Sequence, residues 1–385
     1  MENFNFCIPT NIMFGRGQIS QLKGAVEKCG TKILLVYGGQ SIKKNGLYDQ
    51  VKKQLEGLEF YELSGVEANP KIGSVRTGIE ICRKEGVEVL LAVGGGSVID
   101  CTKAIAAGVY YEGDAWEMII SHAEVKEALP IVAVSTLAAT GSEADAGAVI
   151  CNPETGEKLS LFSPLLFPKC AILDPENTYT VPAKQTAAGS FDILSHLMEQ
   201  YFVPASTFLS DLLVESVMKT VIHYAPIAIR EPENYEARAQ LMWAGTIADN
   251  ATLCNGNQLV SFSCHGIEHD LSGSFNTTHG EGLAILTPNW MRYVLSDQTK
   301  GRFAHFARAV WGVEATDDLQ AAKEGITALE NFIHTLYLPT TFTELGIDDS
   351  RFEELAAHAV EKEDLEYAYV PLNKEDVVAI LKACL

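Results

Sequence analysis

Val89-Leu90-Leu91-Ala92-Val93-Gly94-Gly95-Gly96-Ser97-Val98-Ile99-Asp100 is the stretch that decides the fold. An unbroken aliphatic run has the character of a strand buried on both faces, and three glycines turn it directly into a helical pattern. Working outward, similar runs at Lys32–Val36, Leu58–Leu63, Val87–Val93, Leu129–Val134 and Cys170–Leu173 alternate with helical patterns such as Lys71–Glu85 and Val98–Ala107. That alternation predicts parallel βαβ units and a doubly wound α/β sheet. Ala148–Ile150 and Lys158–Leu161 flank Asn-Pro-Glu-Thr-Gly and predict a small inserted hairpin. From Thr180 the strand runs stop. Thr180-Val181-Pro182 reads as an N-cap followed by proline in the first turn. Helical patterns follow at Gln185–Phe202, Leu209–Tyr224, Tyr235–Asn255, Phe303–Trp311, Ala321–Leu336, Arg351–Ala359 and Lys374–Leu381. Two domains are therefore expected, an α/β domain over 1–179 and an all-α domain over 180–385.

Composition narrows the function. Twenty-nine Lys and Arg against 50 Asp and Glu give a net charge of −21. Such a field repels nucleic acid and anionic membranes, so neither is expected as a partner. No apolar run approaches a membrane span, and Met1–Cys7 lacks the basic start and apolar stretch of a signal peptide. The nine cysteines are singletons without a C-x-x-C pair, which reads as reduced thiols in a cytoplasmic protein.

Two glycine turns carry the binding chemistry. Gly94, Gly95, Gly96 and Ser97 bring backbone N–H groups and a helix N-terminus together without Cβ obstruction, which suits a diphosphate. The turn is not G-x-G-x-x-G, and a plain strand-to-helix turn capped by Ser97 is the alternative. One unit earlier, Ile33–Val36 runs into Tyr37-Gly38-Gly39-Gln40-Ser41. An acid there would accept from a ribose 2′-hydroxyl and repel a 2′-phosphate. Glycines, a hydroxyl and the downstream Lys43 and Lys44 instead favour a phosphorylated ribose, hence NADP, although the two lysines could equally be solvent-exposed residues opening a helix. Thr136, Thr140 and Ser142 follow another buried strand, where ligands sit in such sheets.

The helical half gathers imidazoles. Asp192 and His196 are spaced i, i+4, as are His265 and His269, and each pair shares a helix face. His279 begins His-Gly-Glu-Gly ten residues later. A carboxylate with several imidazoles makes a site for Zn²⁺, Fe²⁺ or a neighbouring ion. His122, His223, His305, His334 and His358 stand alone and are read as surface or core residues.

Taken jointly, GGGSVID, TLAATGSE, D-x-x-x-H and H-G-I-E-H-x9-H-G-E-G-L resemble the iron-containing (group III) alcohol dehydrogenases. The likeness is nearest to their butanol dehydrogenase and NADPH-dependent aldehyde reductase branch, and runs from Asn11–Gly17 to the closing Val377–Leu385. It implies a dehydroquinate synthase-like architecture, with a nucleotide-binding α/β domain and a helical metal domain. It implies Asp192, His196, His265 and His279 as ligands of one divalent metal, Fe²⁺ or Zn²⁺, and His269 as a proton-relay group. The Gly94–Ser97 turn would hold the diphosphate, with Asp100 closing the first helical turn. Thr136, Thr140 and Lys158 would approach the nicotinamide end, Asn69 the adenine side, and Gly38, Gly39 and Ser41 the phosphorylated ribose. Relatives that prefer NAD often carry Asp where Gly38 and Gly39 stand, so NADP(H) is expected. The reaction implied is hydride transfer between NADPH and an aldehyde carbonyl carbon, with the metal as Lewis acid. The ligand set of one carboxylate and three neutral imidazoles leaves that ion with a surplus of positive charge. A homodimer is expected by the same analogy.

Few cationic residues flank the motifs, and Phe262, Ile267, Leu271, Phe275 and Trp290 could line an apolar pocket or belong to the core. Small neutral aliphatic aldehydes and alcohols are the expected substrates. The competing readings are a polyol dehydrogenase resembling glycerol dehydrogenase, a lyase resembling dehydroquinate synthase, and a non-catalytic metal or nucleotide binder. The lyase needs a cluster of Arg and Lys that is missing around His265–His279.

Overall fold

The computed structural model describes all residues from 1 to 385. The chain forms two compact units. One comprises Cys7–Val181 with Pro232–Asn250, the other Met1–Phe6, Pro182–Glu231 and Ala251–Leu385.

The first unit is built on a six-stranded parallel sheet. Its strands are β1 (Asn11–Phe14), β2 (Lys32–Tyr37), β3 (Glu59–Leu63), β4 (Val89–Gly94), β5 (Ile131–Ser135) and β8 (Cys170–Leu173), in the order β1-β8-β5-β4-β2-β3. Register runs Leu35 against Leu91 and Leu91 against Val132, so the aliphatic runs read from sequence are the central strands. Alternation then divides the side chains. Ile33, Leu35, Val89, Leu91 and Val132 enter one core layer, and Leu34, Val36, Leu90, Ala92 and Ala133 the other. The helices α1 (Leu22–Glu27), α2 (Ser41–Lys44) and α3 (Leu47–Gln54) supply Leu22, Ile42 and Val51 to the first layer. The second is covered by α4 (Ile72–Glu85), α5 (Gly96–Gly108) and α6 (Ala115–Ile120). Strands buried on both faces need no polar alternation, which is why they read as continuous apolar runs. The expected hairpin is present as β6 (Gly147–Asn152) and β7 (Glu157–Phe162), with Ile150 opposite Leu159.

The second unit is helical: α7 (Ala183–Tyr201), α8 (Phe208–Arg230), α10 (Ser263–Phe275), α11 (His279–Val294), α12 (Lys300–Trp311), α13 (Asp318–Thr335), α14 (Phe352–Lys362) and α15 (Lys374–Ala383). The remaining helix, α9 (Tyr235–Ala248), returns to the sheet unit. It packs on the turns Pro175–Thr178 and Ser142–Ala144, and Thr246 Oγ1 donates to the buried Glu143 carboxylate at 2.7 Å. This departs from the two contiguous halves, meeting at 179/180, that the sequence predicts, because helical periodicity marks α9 as a helix but cannot say which neighbour buries its face. Thr180 also differs from expectation. The N-cap position of α7 is Pro182, without a side-chain cap, and Thr180 Oγ1 accepts from Asn45 Nδ2 at 3.2 Å.

By length and composition α8 could cross a bilayer, with a mean hydropathy of 1.3 in its most apolar window. Its acids are nonetheless tied into the helical unit. Asp211 pairs with Arg302 at 2.6 Å, and Glu215 accepts from Tyr201 Oη at 2.9 Å.

Candidate metal centre and cofactor turns

Helix α7 carries Asp192, His196 and Glu199 on one face, at i, i+4 and i+7. Helix α10 offers His265, Glu268 and His269, and His279 opens α11. Gly280 makes this meeting possible, because a Cβ there would lie 2.1 Å from the Ala188 carbonyl oxygen of α7. Only glycine lets the two backbones come that close.

Asp192, His265 and His279 each present a ligand atom, all within 4.8 Å of one another. Asp192 Oδ1 lies 3.7 Å from His265 Nε2 and 3.6 Å from His279 Nε2. These separations are too long for hydrogen bonds, yet near the roughly 3.3 Å that separates donors around a tetrahedral ion with bonds of about 2.0 Å. His196 stands beside the trio, its ring stacked on His265 at 4.3 Å and its Nδ1 4.0 Å from Asp192 Oδ1. Asp192 Oδ1 and His265 Nε2 are buried and have no hydrogen-bond partner. Burial works against a charge on Asp192, but His196, His265 and His279 hold its carboxyl well below the usual carboxylate range. Burial equally opposes a charge on His265, yet Glu199 and Asp192 outweigh it and push its pKa up to about 10. The carboxylates call for a cation among them, and the convergent donors fit a divalent metal ion.

Two acids that the sequence reading passed over complete the surroundings. Glu199 contacts His265 Nδ1 and Glu268 contacts His279 Nδ1. Both are buried behind the histidines, so that, beyond a ligand set with one carboxylate, two further carboxylates bring the wider surroundings of a divalent ion to one negative charge in excess. Spacing could have found them, since Glu199 falls seven residues after Asp192 and Glu268 three after His265, both on ligand-bearing faces. His269 stands apart from the three-donor group. Its ring stacks on His279 at 5.7 Å and its Nδ1 meets Oε1 of Glu363, the residue that follows α14, at 3.1 Å. His358, read as an isolated histidine, pairs with buried Asp270 at 2.5 Å, and exposed His305 reaches Glu215 at 3.1 Å. Of the five apolar neighbours, Ile267, Leu271 and Trp290 are core; Phe262 adjoins the His265 ring at 5.5 Å and Phe275 is half-buried.

In the sheet unit the glycine turns sit at neighbouring strand ends. Strand β4 ends at Gly94 and α5 begins at Gly96, leaving N–H groups of its first turn without helical acceptors. A Cβ on Gly96 would lie 2.5 Å from Thr140 Oγ1, so glycine brings this turn against the loop after β5. Gly38, Gly39 and Ser41 follow the adjacent β2, and Lys43 Nζ lies 5.1 Å from the Tyr37 ring centre. The nearby acid Glu62 accepts from Tyr37 Oη at 2.6 Å and Tyr48 Oη at 2.8 Å. Thr136 and Thr140 are half-buried in the loop after β5, and Asn69 has a positive φ of 49° before Pro70. Lys158 is buried on β7. Asp100 faces the protein, accepting from Ser142 Oγ at 2.6 Å and Val149 N–H at 3.1 Å. It ties the glycine-turn helix to the β6 segment.

The chain matches the iron-containing alcohol dehydrogenase family over residues 9–175 and the C-terminal region of the Fe-containing alcohol dehydrogenases over 186–385; it belongs to that family. NADH-dependent butanol dehydrogenase A of Clostridium acetobutylicum is 45% identical over 387 residues, covering 99% of each chain. NADPH-dependent aldehyde reductase YqhD of Escherichia coli is 37% identical over 360 residues, covering 92% of each. The crystal structure of NADH-dependent butanol dehydrogenase A from Thermotoga maritima has a TM-score of 0.95 at 39% identity, covering 100% of this chain and 99% of that one. The protein is an NAD(P)-dependent metal alcohol dehydrogenase, acting in alcohol and aldehyde oxidoreduction.

Proposed function

We propose that the enzyme reduces small, uncharged aliphatic aldehydes with NADPH, and reversibly oxidises the corresponding alcohols. The observation that carries the reading is the convergence of Asp192, His265 and His279, with two of their buried ligand atoms unsatisfied. In this reading the three hold one divalent ion, with His196 as the fourth ligand. Such an ion, when bound, supplies a Lewis acid for the substrate oxygen. His269, stacked on His279 outside the donor group, holds a proton for that oxygen, and Glu363 orients its ring through Nδ1. The carboxylates of Asp192, Glu199 and Glu268 disfavour anionic substrates, which supports neutral aldehydes over phosphorylated or acidic ones. Nine free cysteines, seven of them buried, support a reducing compartment.

For the cofactor, the β2 turn offers Gly38, Gly39 and Ser41 with Lys43 beside it, and two tyrosines already donate to Glu62. This favours a ribose 2′-phosphate. The second reading is NADH, favoured by the likeness to the NADH-dependent butanol dehydrogenases of Clostridium acetobutylicum and Thermotoga maritima. Metal analysis, together with oxidation of NADPH and of NADH by butanal and by a phosphorylated aldehyde, tests the proposal. Turnover of butanal with kcat/KM higher for NADPH is expected. A preference for the phosphorylated aldehyde would defeat the substrate assignment, and a higher kcat/KM with NADH would select the second cofactor.

A further inference from the structure

We propose that Glu199 and Glu268 are positioning residues that fix the ring orientation and tautomer of His265 and His279, and so set how tightly and in what geometry the centre holds its ion. This rests on the metal reading above.

Each imidazole is held from behind in the same way, although by different elements. Glu199 extends from α7 to the start of α10, where it accepts from the Cys264 N–H at 2.6 Å and the His265 N–H at 3.1 Å. Helix α10 has no side-chain cap of its own at Phe262, so this carboxylate satisfies two of its first N–H groups. The other function of Glu199 is its contact with His265 Nδ1. Glu268, completely buried on α10, accepts from Ser272 Oγ at 3.1 Å and meets His279 Nδ1 across the gap to α11. A carboxylate can only accept, so each Nδ1 keeps its hydrogen, and when an ion displaces any proton from Nε2 it is the lone pair of that nitrogen that is presented to it. Those Nε2 atoms are the ones that face Asp192 Oδ1, at 3.7 and 3.6 Å. The carboxylates therefore select the donor nitrogen, and their negative charge makes it a stronger donor.

Two buried His–Glu pairs could instead serve only to join α7, α10 and α11. Affinity for an ion separates the two roles. Apo-enzyme reloaded with Co²⁺ is titrated against a chromophoric chelator, and its visible absorption is recorded for the parent, Glu268→Gln, Glu268→Leu and Glu199→Gln. Melting temperature is followed in parallel. Gln still accepts from Nδ1–H but without charge, so Glu268→Gln and Glu199→Gln are expected to weaken Co²⁺ by about 10-fold, and Glu268→Leu by about 100-fold. The Co²⁺ bands should shift in each. The Glu215–His305 pair, in the same unit but away from the donors, is the control: Glu215→Gln should leave Co²⁺ affinity and bands as in the parent. Parent-like Co²⁺ affinity and bands in a folded Glu268→Leu or Glu199→Gln would overturn the inference, as would an equal loss in Glu215→Gln. If the parent itself binds no Co²⁺ and Asp192→Ala changes nothing, the metal reading beneath it fails instead.

Discussion

Replacing Gly280 with alanine tests the packing that assembles the centre. The added carbon would sit 2.1 Å from the Ala188 carbonyl oxygen, which is backbone within α7 and cannot rotate away. A carbon comes no nearer to such an oxygen than about 3.3 Å without strain. Helix α11 must therefore retreat from α7 by about 1.2 Å, or bend, at the residue next to His279. Overpacking of this kind costs about 1–3 kcal/mol. The larger effect falls on the donors. His279 Nε2 is already 3.6 Å from Asp192 Oδ1, and ligand distances tolerate only about 0.2 Å of error. A displacement of about 1 Å should cost roughly 100-fold in turnover. Gly280→Ala is thus expected to fold with a lowered melting temperature, to bind Co²⁺ at least about 10-fold more weakly and to lose most of its activity. Gly301→Ala is the matched control, because its added Cβ meets nothing within 4 Å in α12. It should be neutral or stabilising by about 0.5–1 kcal/mol. Parent-like metal affinity and melting in Gly280→Ala would refute the claim that this close approach holds the donors together.

His265→Ala should lose metal and turnover together, whereas His269→Ala should keep the metal and lose rate; metal analysis beside kinetics decides, and an emptied His269→Ala would reverse the roles. Gly38→Asp should lower the kcat/KM ratio of NADPH to NADH by about 10-fold or more, since a carboxylate near a 2′-phosphate repels it by over 1 kcal/mol; an unchanged ratio would remove the turn from cofactor choice. Lys103 is fully buried and donates to Asp145 Oδ1 and Gly147 O, both at 2.7 Å, so Lys103→Met should destabilise by about 3–5 kcal/mol in urea unfolding. Adding Asp145→Leu should recover part of that loss, and no recovery would mean that the ion pair is not its source. Burial pushes the Cys82, Cys101 and Cys384 thiols up to about 12, so a thiol reagent at neutral pH should modify exposed Cys7 first and reach those three only on unfolding.

What was legible in the sequence follows from how locally each feature is determined. The central strands are aliphatic because both faces are buried, and a run such as Val89–Val93 declares itself without knowledge of its partners. Strand β1 does not, being four residues, Asn-Ile-Met-Phe, on a sheet edge with none fully buried. The short helices α1, α2, α3 and α6 were likewise too brief for periodicity to show. The trio Asp192, His265 and His279 was legible because imidazoles repeated at i+4 on a helix are chemically unusual. Glu199 and Glu268 were hidden by their ordinariness, as acids on helices are commonplace until burial makes them costly. Glu363 was out of reach altogether, lying 94 residues from the histidine that it contacts.

The return of α9 to the sheet has a consequence for how the polypeptide matures on the ribosome. Glu143 is synthesised 103 residues before Thr246, its hydroxyl donor, and the turn at Gly141 packs against the Gly245 carbonyl, 2.6 Å from where a Cβ would be. The nucleotide half therefore cannot finish folding when its last strand emerges. It must wait, with the Glu143 turn still uncovered, through α7 and α8 until residue 250 has cleared the exit tunnel. A gene cut at residue 181 would leave that wait unending, so the two halves are unsuited to separate expression or simple domain exchange, and any working split must carry Pro232–Asn250 with the first part.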